Sequence, residues 1–139
     1  MRESRLKNTE FYEFTNVNPH NRIGGDCVIR AIALACGQSW ETTVRELTEM
    51  GIKKGYICND QKLYPAYLIS KGFKEMPEPR DVNNRKLTVK EWLIQREGFS
   101  IKNIVANVGS HHVACIIDGK VRDIWNSSTQ TMHKYWVKL

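Results

Sequence analysis

The sequence contains no long hydrophobic run and no apolar leader. Its longest apolar stretch, Ala31 to Cys36, is far shorter than the ~20 residues that cross a bilayer. Residues 1–13 are charged and lack the hydrophobic segment of a secretory signal. These absences predict a soluble cytoplasmic protein that makes no contact with a membrane.

Cysteines are few and irregularly spaced. The chain has Cys27, Cys36, Cys58 and Cys115, and no Cys-x-x-Cys pair. Without an export signal, we expect these to be free thiols in a reducing compartment. A metal site that combines them with His111 or His112 is not favoured, because no pair has the spacing typical of zinc ligands. We therefore expect neither a metal nor another cofactor.

Concentrated positive charge is also absent. The 21 Lys and Arg residues exceed the 15 Asp and Glu residues, which gives a formal net charge of +6. The densest basic run, Arg80 to Lys90, is interrupted by Asp81. Scattered charge is typical of a solvated surface, so the sequence does not favour a nucleic-acid partner. It does not determine the oligomeric state.

The remaining composition is that of a globular protein. Of 139 residues, 41% are hydrophobic and 26% are charged, and we find no internal repeat or low-complexity tract. We expect one domain over residues 1–139. Residues 1–20 read as an irregular arm, or as a short edge strand around Phe11, Tyr12 and Phe14.

Helices are predicted in the first part of the chain. Asp26 is a candidate N-cap for a helix from Cys27 to Cys36, which has almost no polar face and should therefore be central and buried, with Gly37 as its C-cap. Three further helices are expected. They are Trp40 to Met50, ended by Gly51; Gln61 to Ser70; and Val89 to Gln95, preceded by the capping box Thr88 to Glu91.

An antiparallel sheet is predicted in the second part. Val113 to Ile117 and Val121 to Trp125 flank an Asp118-Gly119 pair, which is a strong hairpin signal. A β-rich stretch containing Ile101, Ile104 and Val105 precedes this hairpin, and His133 to Leu139 forms the last strand. Helices followed by an antiparallel sheet indicate an α+β fold, in which the buried central helix packs on the sheet.

Cys27 is the candidate nucleophile. It follows a Gly-Gly-Asp turn and begins the most apolar helix. A thiol at a helix N-terminus lies near unpaired N–H groups and the positive end of the helix dipole, and both favour the reactive thiolate. The alternative is a small apolar residue at the start of a core helix, which is the usual role of a lone cysteine.

His112 and Asp123 are the candidate base and orienting acid. If Asp118-Gly119 is a two-residue turn, Ala114 faces Asp123, and His112 shares a face with both. Asp123 is then a diagonal neighbour of His112. A one-residue bulge would bring Asn126 to this place instead, and we favour Asp123.

Two neighbouring residues receive structural interpretations. His111 points to the opposite side of the strand from His112 and is read as a surface histidine. Arg30 lies one turn after Cys27 in an otherwise apolar helix. It could lower the pKa of Cys27 or hold a substrate carboxylate, but an ion pair with an acid such as Asp26 or Glu46 is favoured.

These motifs resemble the papain-like cysteine peptidase superfamily. The matching segments are Gly24-Gly-Asp-Cys27 with its apolar helix, His112-Val-Ala-Cys-Ile and Val121-Arg-Asp123-Ile-Trp, in the same chain order. The chain is most similar to the small C39-like peptidases and to short papain-like proteins of bacteriophages and bacteria. The resemblance implies a papain-like cysteine-hydrolase fold and a Cys27–His112–Asp123 triad.

The resemblance also implies an oxyanion hole and a reaction. Members often carry an amide side chain a few residues before the cysteine, and Asn21 matches that position. The expected function is a thiol hydrolase, acting on a peptide, isopeptide or amide in a bacterial or phage-infected cytoplasm. The alternative is an inactive binding protein on the same scaffold, which engages a host protein or nucleic acid through the rim of the cleft.

Overall fold

A computed structural model describes residues 7–95 and 103–138 of the chain. Within these residues the chain forms four helices and six strands. In chain order they are β1 (Tyr12–Phe14), α1 (Cys27–Cys36), α2 (Trp40–Lys54), α3 (Tyr64–Ser70), β2 (Lys74–Met76), α4 (Val89–Gln95), β3 (Asn103–Val108), β4 (His112–Ile117), β5 (Lys120–Asp123) and β6 (Met132–Lys138).

The strands form one mixed sheet in the order β1-β5-β4-β3-β6-β2. The pairs between β2 and β6, β6 and β3, β3 and β4, and β4 and β5 are antiparallel, whereas β1 pairs with β5 in parallel. The α+β class is therefore confirmed. The expectation of a purely antiparallel C-terminal sheet is wrong, because both edge strands come from earlier parts of the chain.

The sheet separates two hydrophobic clusters. On one side, α1, α2 and α3 contribute residues such as Ile32, Leu47 and Leu68, which pack with Val105 and Trp136 of the sheet. The second cluster contains residues of α4, the other side of the sheet and β1. Helix α1 packs against β3 and β4, so the predicted burial of the central helix is confirmed.

Helix α1 begins and ends where the sequence predicts. Gly37 adopts a left-handed conformation with a φ of 64° and donates its N–H to the last turn. At the other end, Asp26 makes no side-chain capping bond. Asp26 thus occupies the predicted N-cap position, but its side chain does not cap the helix, because the carboxylate contacts Arg30, Asn18 and Trp40 instead.

Two helix boundaries differ from the prediction. Helix α2 continues through Gly51 to Lys54, because Gly51 is needed for packing: a β-carbon there would meet the carbonyl oxygen of Tyr56. Helix α3 begins at Tyr64, not Gln61. The preceding residues form a turn in which the carbonyl of Asp60 accepts the N–H of Leu63.

The strands near the site follow the predicted register. Asp118 and Gly119 form the hairpin turn with φ values of 52° and 76°, and Ile117 pairs with Lys120. The predicted edge strand around Tyr12 is present as β1. Strand β2 was not predicted, because a segment this short and exposed carries no hydrophobic alternation. Two residues of the predicted strands, Ile101 and Leu139, lie outside the described residues.

In the described part of the chain, no helix has the length and apolar character required to cross a membrane.

Candidate active site

Three elements bring the candidate triad together. Cys27 is the first residue of α1, His112 is the first residue of β4, and Asp123 is the last residue of β5. The tight turn between β4 and β5 aligns the two strands, and α1 packs on β4. Residues far apart in sequence thus meet at one end of the sheet.

His112 lies between Asp123 and Cys27. Its Nε2 atom is 2.5 Å from Oδ2 of Asp123. The His112 side chain also acts on the thiol of Cys27 and lowers its pKa. Because Asp123 occupies Nε2, the nitrogen left for the thiol is Nδ1. The order of contacts is that of a nucleophile, a base and an orienting carboxylate.

The surroundings of Cys27 favour its thiolate. Burial acts to raise the pKa of the thiol, but it is outweighed by hydrogen bonds from His112 and from the backbone N–H of Val113. The positive charges of His112 and Arg30 act in the same direction. The net effect is a pKa below the ordinary value of a thiol, as nucleophilic cysteines require.

The surroundings of His112 favour its protonated form. Burial acts to lower the pKa of the imidazole, but hydrogen bonds to Asp123 and Cys27, together with the charges of both partners, raise it to about 9. The thiol pKa is shifted down and the imidazole pKa is shifted up. Both shifts favour a thiolate beside an imidazolium over the neutral pair.

Packing and hydrogen bonds restrain His112 and Asp123. The ring of Trp125 lies 4.8 Å from that of His112, centroid to centroid, at an angle of 49°. Asp123 is buried, and its Oδ1 atom accepts the N–H of Ile124 at 2.7 Å and faces Nη2 of Arg30 at 3.4 Å. Both oxygens of the carboxylate are thereby occupied, and one of them is directed to His112.

Asn126 does not take the place of Asp123. Its Oδ1 atom accepts hydrogen bonds from the backbone N–H and the hydroxyl of Ser128, at 3.0 and 2.6 Å. The bulge that would have exchanged the two residues is absent from the described pairing of β4 with β5. Of the two alternatives, the geometry selects Asp123.

Asn21 is exposed and lies in a turn with a φ of 55°, its N–H bonded to the carbonyl of Asn18. Among the described residues, the linings of the two cavities that adjoin Cys27 do not include Asn21, so the structure does not bring it to the thiol.

Asn59, in the connection between α2 and α3, lines both cavities. Sequence reasoning missed it because one exposed loop asparagine carries no signal.

The backbone of α1 supplies further donors. Since the Asp26 side chain does not cap the helix, the first-turn N–H groups of Cys27 and Val28 have no acceptor among the described residues. Both residues line the cavities. These N–H groups, at the positive end of the helix, can bind negative charge on an oxygen beside the sulfur.

A cleft runs along both sides of the thiol. One cavity has a volume of about 460 Å³ and the other about 850 Å³. The described residues that line both are Cys27, Val28, Asn59, His111 and His112. His111 is exposed, as its interpretation as a surface histidine predicts, and it lines both cavities. Neither described lining contains a carboxylate.

Among residues 7–95 and 103–138, no group of three or more His, Cys, Asp or Glu side chains could hold a metal ion. The four cysteines are free thiols.

Comparison of the chain with protein-family models, with curated proteins and with solved structures finds no match.

Proposed function

We propose that this protein is a thiol hydrolase with a papain-like fold that cleaves a peptide, isopeptide or small amide bond. The observation that carries the proposal is the pairing of Cys27 and His112 on the wall of a cleft, with Oδ2 of the buried Asp123 lying 2.5 Å from Nε2 of His112. A buried cysteine with a purely structural role needs neither a lowered pKa nor a charged partner. Perturbed groups that share a cleft are typical of catalytic sites.

The first half of the reaction forms an acyl-enzyme. The Cys27 thiolate attacks the carbonyl carbon of the substrate, and the carbonyl oxygen becomes negatively charged. As the C–N bond breaks, His112 gives the proton on Nδ1 to the leaving nitrogen, and an amine departs. The acyl group remains on sulfur as a thioester.

The second half returns the enzyme to its starting state. His112, now neutral, takes a proton from a water molecule, and the resulting hydroxide attacks the thioester carbonyl. The C–S bond breaks, the carboxylic acid departs, and Cys27 is again a thiolate beside protonated His112. Asp123 keeps its place at Nε2 throughout and stabilises the charged ring.

The oxyanion requires hydrogen-bond donors near the sulfur. The N–H of Cys27 supplies one by its position in the first turn of α1. For the amide donor that papain-like enzymes commonly use, Asn59 is the better candidate than Asn21, because Asn59 lines both cavities beside Cys27.

The order of elements adds support for the papain-like assignment. A buried helix begins with the cysteine, a following strand begins with the histidine, and the next strand ends with the aspartate. This order resembles the small members of the superfamily found in phages and bacteria, and a bacterial or phage-infected cytoplasm remains the proposed setting.

A hydrolysis screen tests the proposal. Purified protein is incubated with panels of peptides, isopeptide-linked peptides and small amides, and products are identified by mass spectrometry. We expect turnover of at least one class, an acyl adduct on Cys27, and loss of turnover in Cys27→Ala.

Cys36→Ala is the matched control. Cys36 is half-buried at the other end of α1, and burial raises the pKa of its thiol. This variant should keep full activity. Turnover that survives in Cys27→Ala would contradict the mechanism. A stable complex with a partner that survives in Cys27→Ala, without turnover of any panel, would instead support the binding protein.

A further inference from the structure

We propose that Arg30 is a positioning residue of this site, which fixes the Asp123 carboxylate against His112 through an ion pair held in place by Asp26. The inference rests on the proposed thiol chemistry and adds a member to it. Arg30 touches neither the substrate nor the reacting atoms in this account. It acts through Asp123 and through its charge near Cys27.

The side chain of Arg30 joins two acids inside the protein. It is only 4% exposed, like that of Asp123. Its Nη2 atom faces Oδ1 of Asp123 at 3.4 Å, and its Nη1 atom donates to Oδ1 of Asp26. One guanidinium thus connects the start of α1 with the end of β5.

Asp26 is itself held by neutral donors. Its Oδ2 atom accepts hydrogen bonds from Nδ2 of Asn18 and from Nε1 of Trp40, each at 2.9 Å. These contacts orient the carboxylate toward Arg30 and away from the N–H groups of the helix. The role of Asp26 in holding Arg30 therefore explains why its side chain makes no capping bond to α1.

The arrangement is a costly way to stabilise a fold. Burying a charged network costs free energy, and well-packed apolar residues of similar volume often stabilise a protein more. The Nε atom of Arg30 is buried without a hydrogen-bond partner among the described residues, which adds to the cost. A function for the charge accounts for its presence in a helix that is otherwise apolar.

The contacts of Asp123 show what Arg30 contributes. With Oδ1 engaged by Arg30 and by the N–H of Ile124, the oxygen left for His112 is Oδ2. Losing the ion pair would free the carboxylate to rotate. The guanidinium also adds positive charge near Cys27, which favours the thiolate.

Among the described residues, the titratable groups around Arg30 and Asp123 lie on three elements. Asp26 and Cys27 lie on or beside α1, and His112 and Cys115 lie on β4. Burial, followed by the charge of Asp123, raises the pKa of the Cys115 thiol, so it stays neutral over the useful pH range. Tyr12 of β1 donates its hydroxyl to the Asp123 carbonyl at 3.1 Å. Burial and the Asp123 charge raise the pKa of Tyr12 to about 12, so it stays neutral over the useful pH range.

The test is the pH profile of Cys27 alkylation by iodoacetamide in wild type, Arg30→Lys and Arg30→Met. The rate should rise once as the thiolate forms and change again near the pKa of His112, about 9. Arg30→Met should raise the first midpoint by about one pH unit, so that the rate at a pH below the wild-type midpoint falls about tenfold.

Arg30→Lys separates the effect of Arg30 on the position of the Asp123 carboxylate from the effect of its positive charge on Cys27. A lysine keeps the positive charge but has no planar fork to bridge two carboxylates. We expect its first midpoint to stay near that of wild type. Its second midpoint should fall by about one pH unit, because a loosened Asp123 stabilises protonated His112 less.

The matched control is Arg45→Met, the same change at an exposed arginine of α2, which should leave both midpoints unchanged. If both midpoints also stay at their wild-type values in Arg30→Lys and Arg30→Met, the positioning role is wrong. A lower melting temperature alone would then indicate a structural role. Should Arg30→Met fail to fold, Arg30→Lys decides the question.

Failure of the proposed function gives a different result. In that case wild type itself alkylates with the midpoint of an ordinary thiol, and His112→Ala leaves the profile unchanged. A depressed midpoint in wild type that depends on His112 but not on Arg30 would overturn only the inference about Arg30.

Discussion

Nε2 of His112 lies 2.5 Å from Oδ2 of Asp123, and this contact determines which ring nitrogen is left for Cys27. A carboxylate at Nε2 keeps a proton there and leaves Nδ1 to exchange a proton with the thiol. The raised pKa of His112 and the lowered pKa of Cys27 both depend on this orientation.

Asp123→Asn should slow the reaction of Cys27 by about tenfold or more at a pH below the wild-type midpoint, because the amide removes the negative charge that holds the proton on His112. The measurement is the rate of iodoacetamide incorporation at Cys27. Asn126→Ala is the control, since Asn126 contacts Ser128 and not the imidazole. A larger loss of alkylation rate in Asn126→Ala than in Asp123→Asn would contradict the assignment of Asp123, and not Asn126, as the residue that orients His112.

The raised pKa of His112 also predicts how stability varies with pH. The folded protein binds this proton more tightly than the unfolded chain, since the pKa rises from 6.5 to about 9. The stabilisation is therefore complete below about pH 6.5 and is lost as the pH rises through about 9. Denaturant titrations of wild type and His112→Gln should show the largest difference in free energy of unfolding at the acidic end of this window.

Cys27 acts in the opposite direction, because its pKa is lowered on folding. Its contribution to the free energy of unfolding is present above the ordinary pKa of a thiol. This contribution is lost as the pH falls through the pKa that Cys27 has in the folded protein. Repeating the comparison in a Cys27→Ala background removes this titration. A stability difference that grows with pH in that background would contradict the assignment to His112.

Gly24→Phe should obstruct the cleft without disturbing the fold. Gly24 lines the cavity of about 850 Å³. A β-carbon there would meet nothing within 4 Å, and its φ lies outside the left-handed region, unlike that of Gly25. The ring should slow a bulky maleimide by about tenfold, equivalent to about 1.4 kcal/mol, and leave iodoacetamide unaffected. Gly24→Ser is the control. If Gly24→Phe and Gly24→Ser react with the bulky maleimide at equal rates, reagents do not reach Cys27 through this cavity.

Trp40→Phe should destabilise the protein by about 1.5–3 kcal/mol, the usual range for a hydrogen bond to a charged group. The phenyl ring keeps most of the packing but cannot donate to Oδ2 of Asp26 as Nε1 of Trp40 does. Thermal and denaturant unfolding measure the loss. An unchanged unfolding free energy would show that Asn18 alone suffices to hold Asp26.

Local patterns predicted the central part of this fold well. The apolar segment Cys27–Cys36 could only be a buried helix, and Asp118-Gly119 fixed the hairpin register because both residues accept positive φ. Counting outward from that turn placed Asp123 near His112. These features depend on nearby residues, which a sequence displays directly.

Features that depend on distant contacts were not predictable. Gly51 reads as a helix end, yet it lies inside α2, where Tyr56 leaves no room for a β-carbon. The parallel pairing of β1 with β5 joins segments far apart in the chain. Arg30 stood out as a charge in an apolar helix, but its contact with Asp123 appears only once α1 and β5 are packed together.

The most direct test of the central claim is the pH dependence of Cys27 alkylation by iodoacetamide, read by mass spectrometry, in wild type and His112→Ala. An ordinary cysteine reacts with a midpoint near ~8.5. The account predicts a midpoint well below this in wild type and a return to the ordinary value in His112→Ala. An ordinary midpoint in both proteins, or no reaction at Cys27, would contradict the assignment of Cys27 and His112 as a catalytic pair.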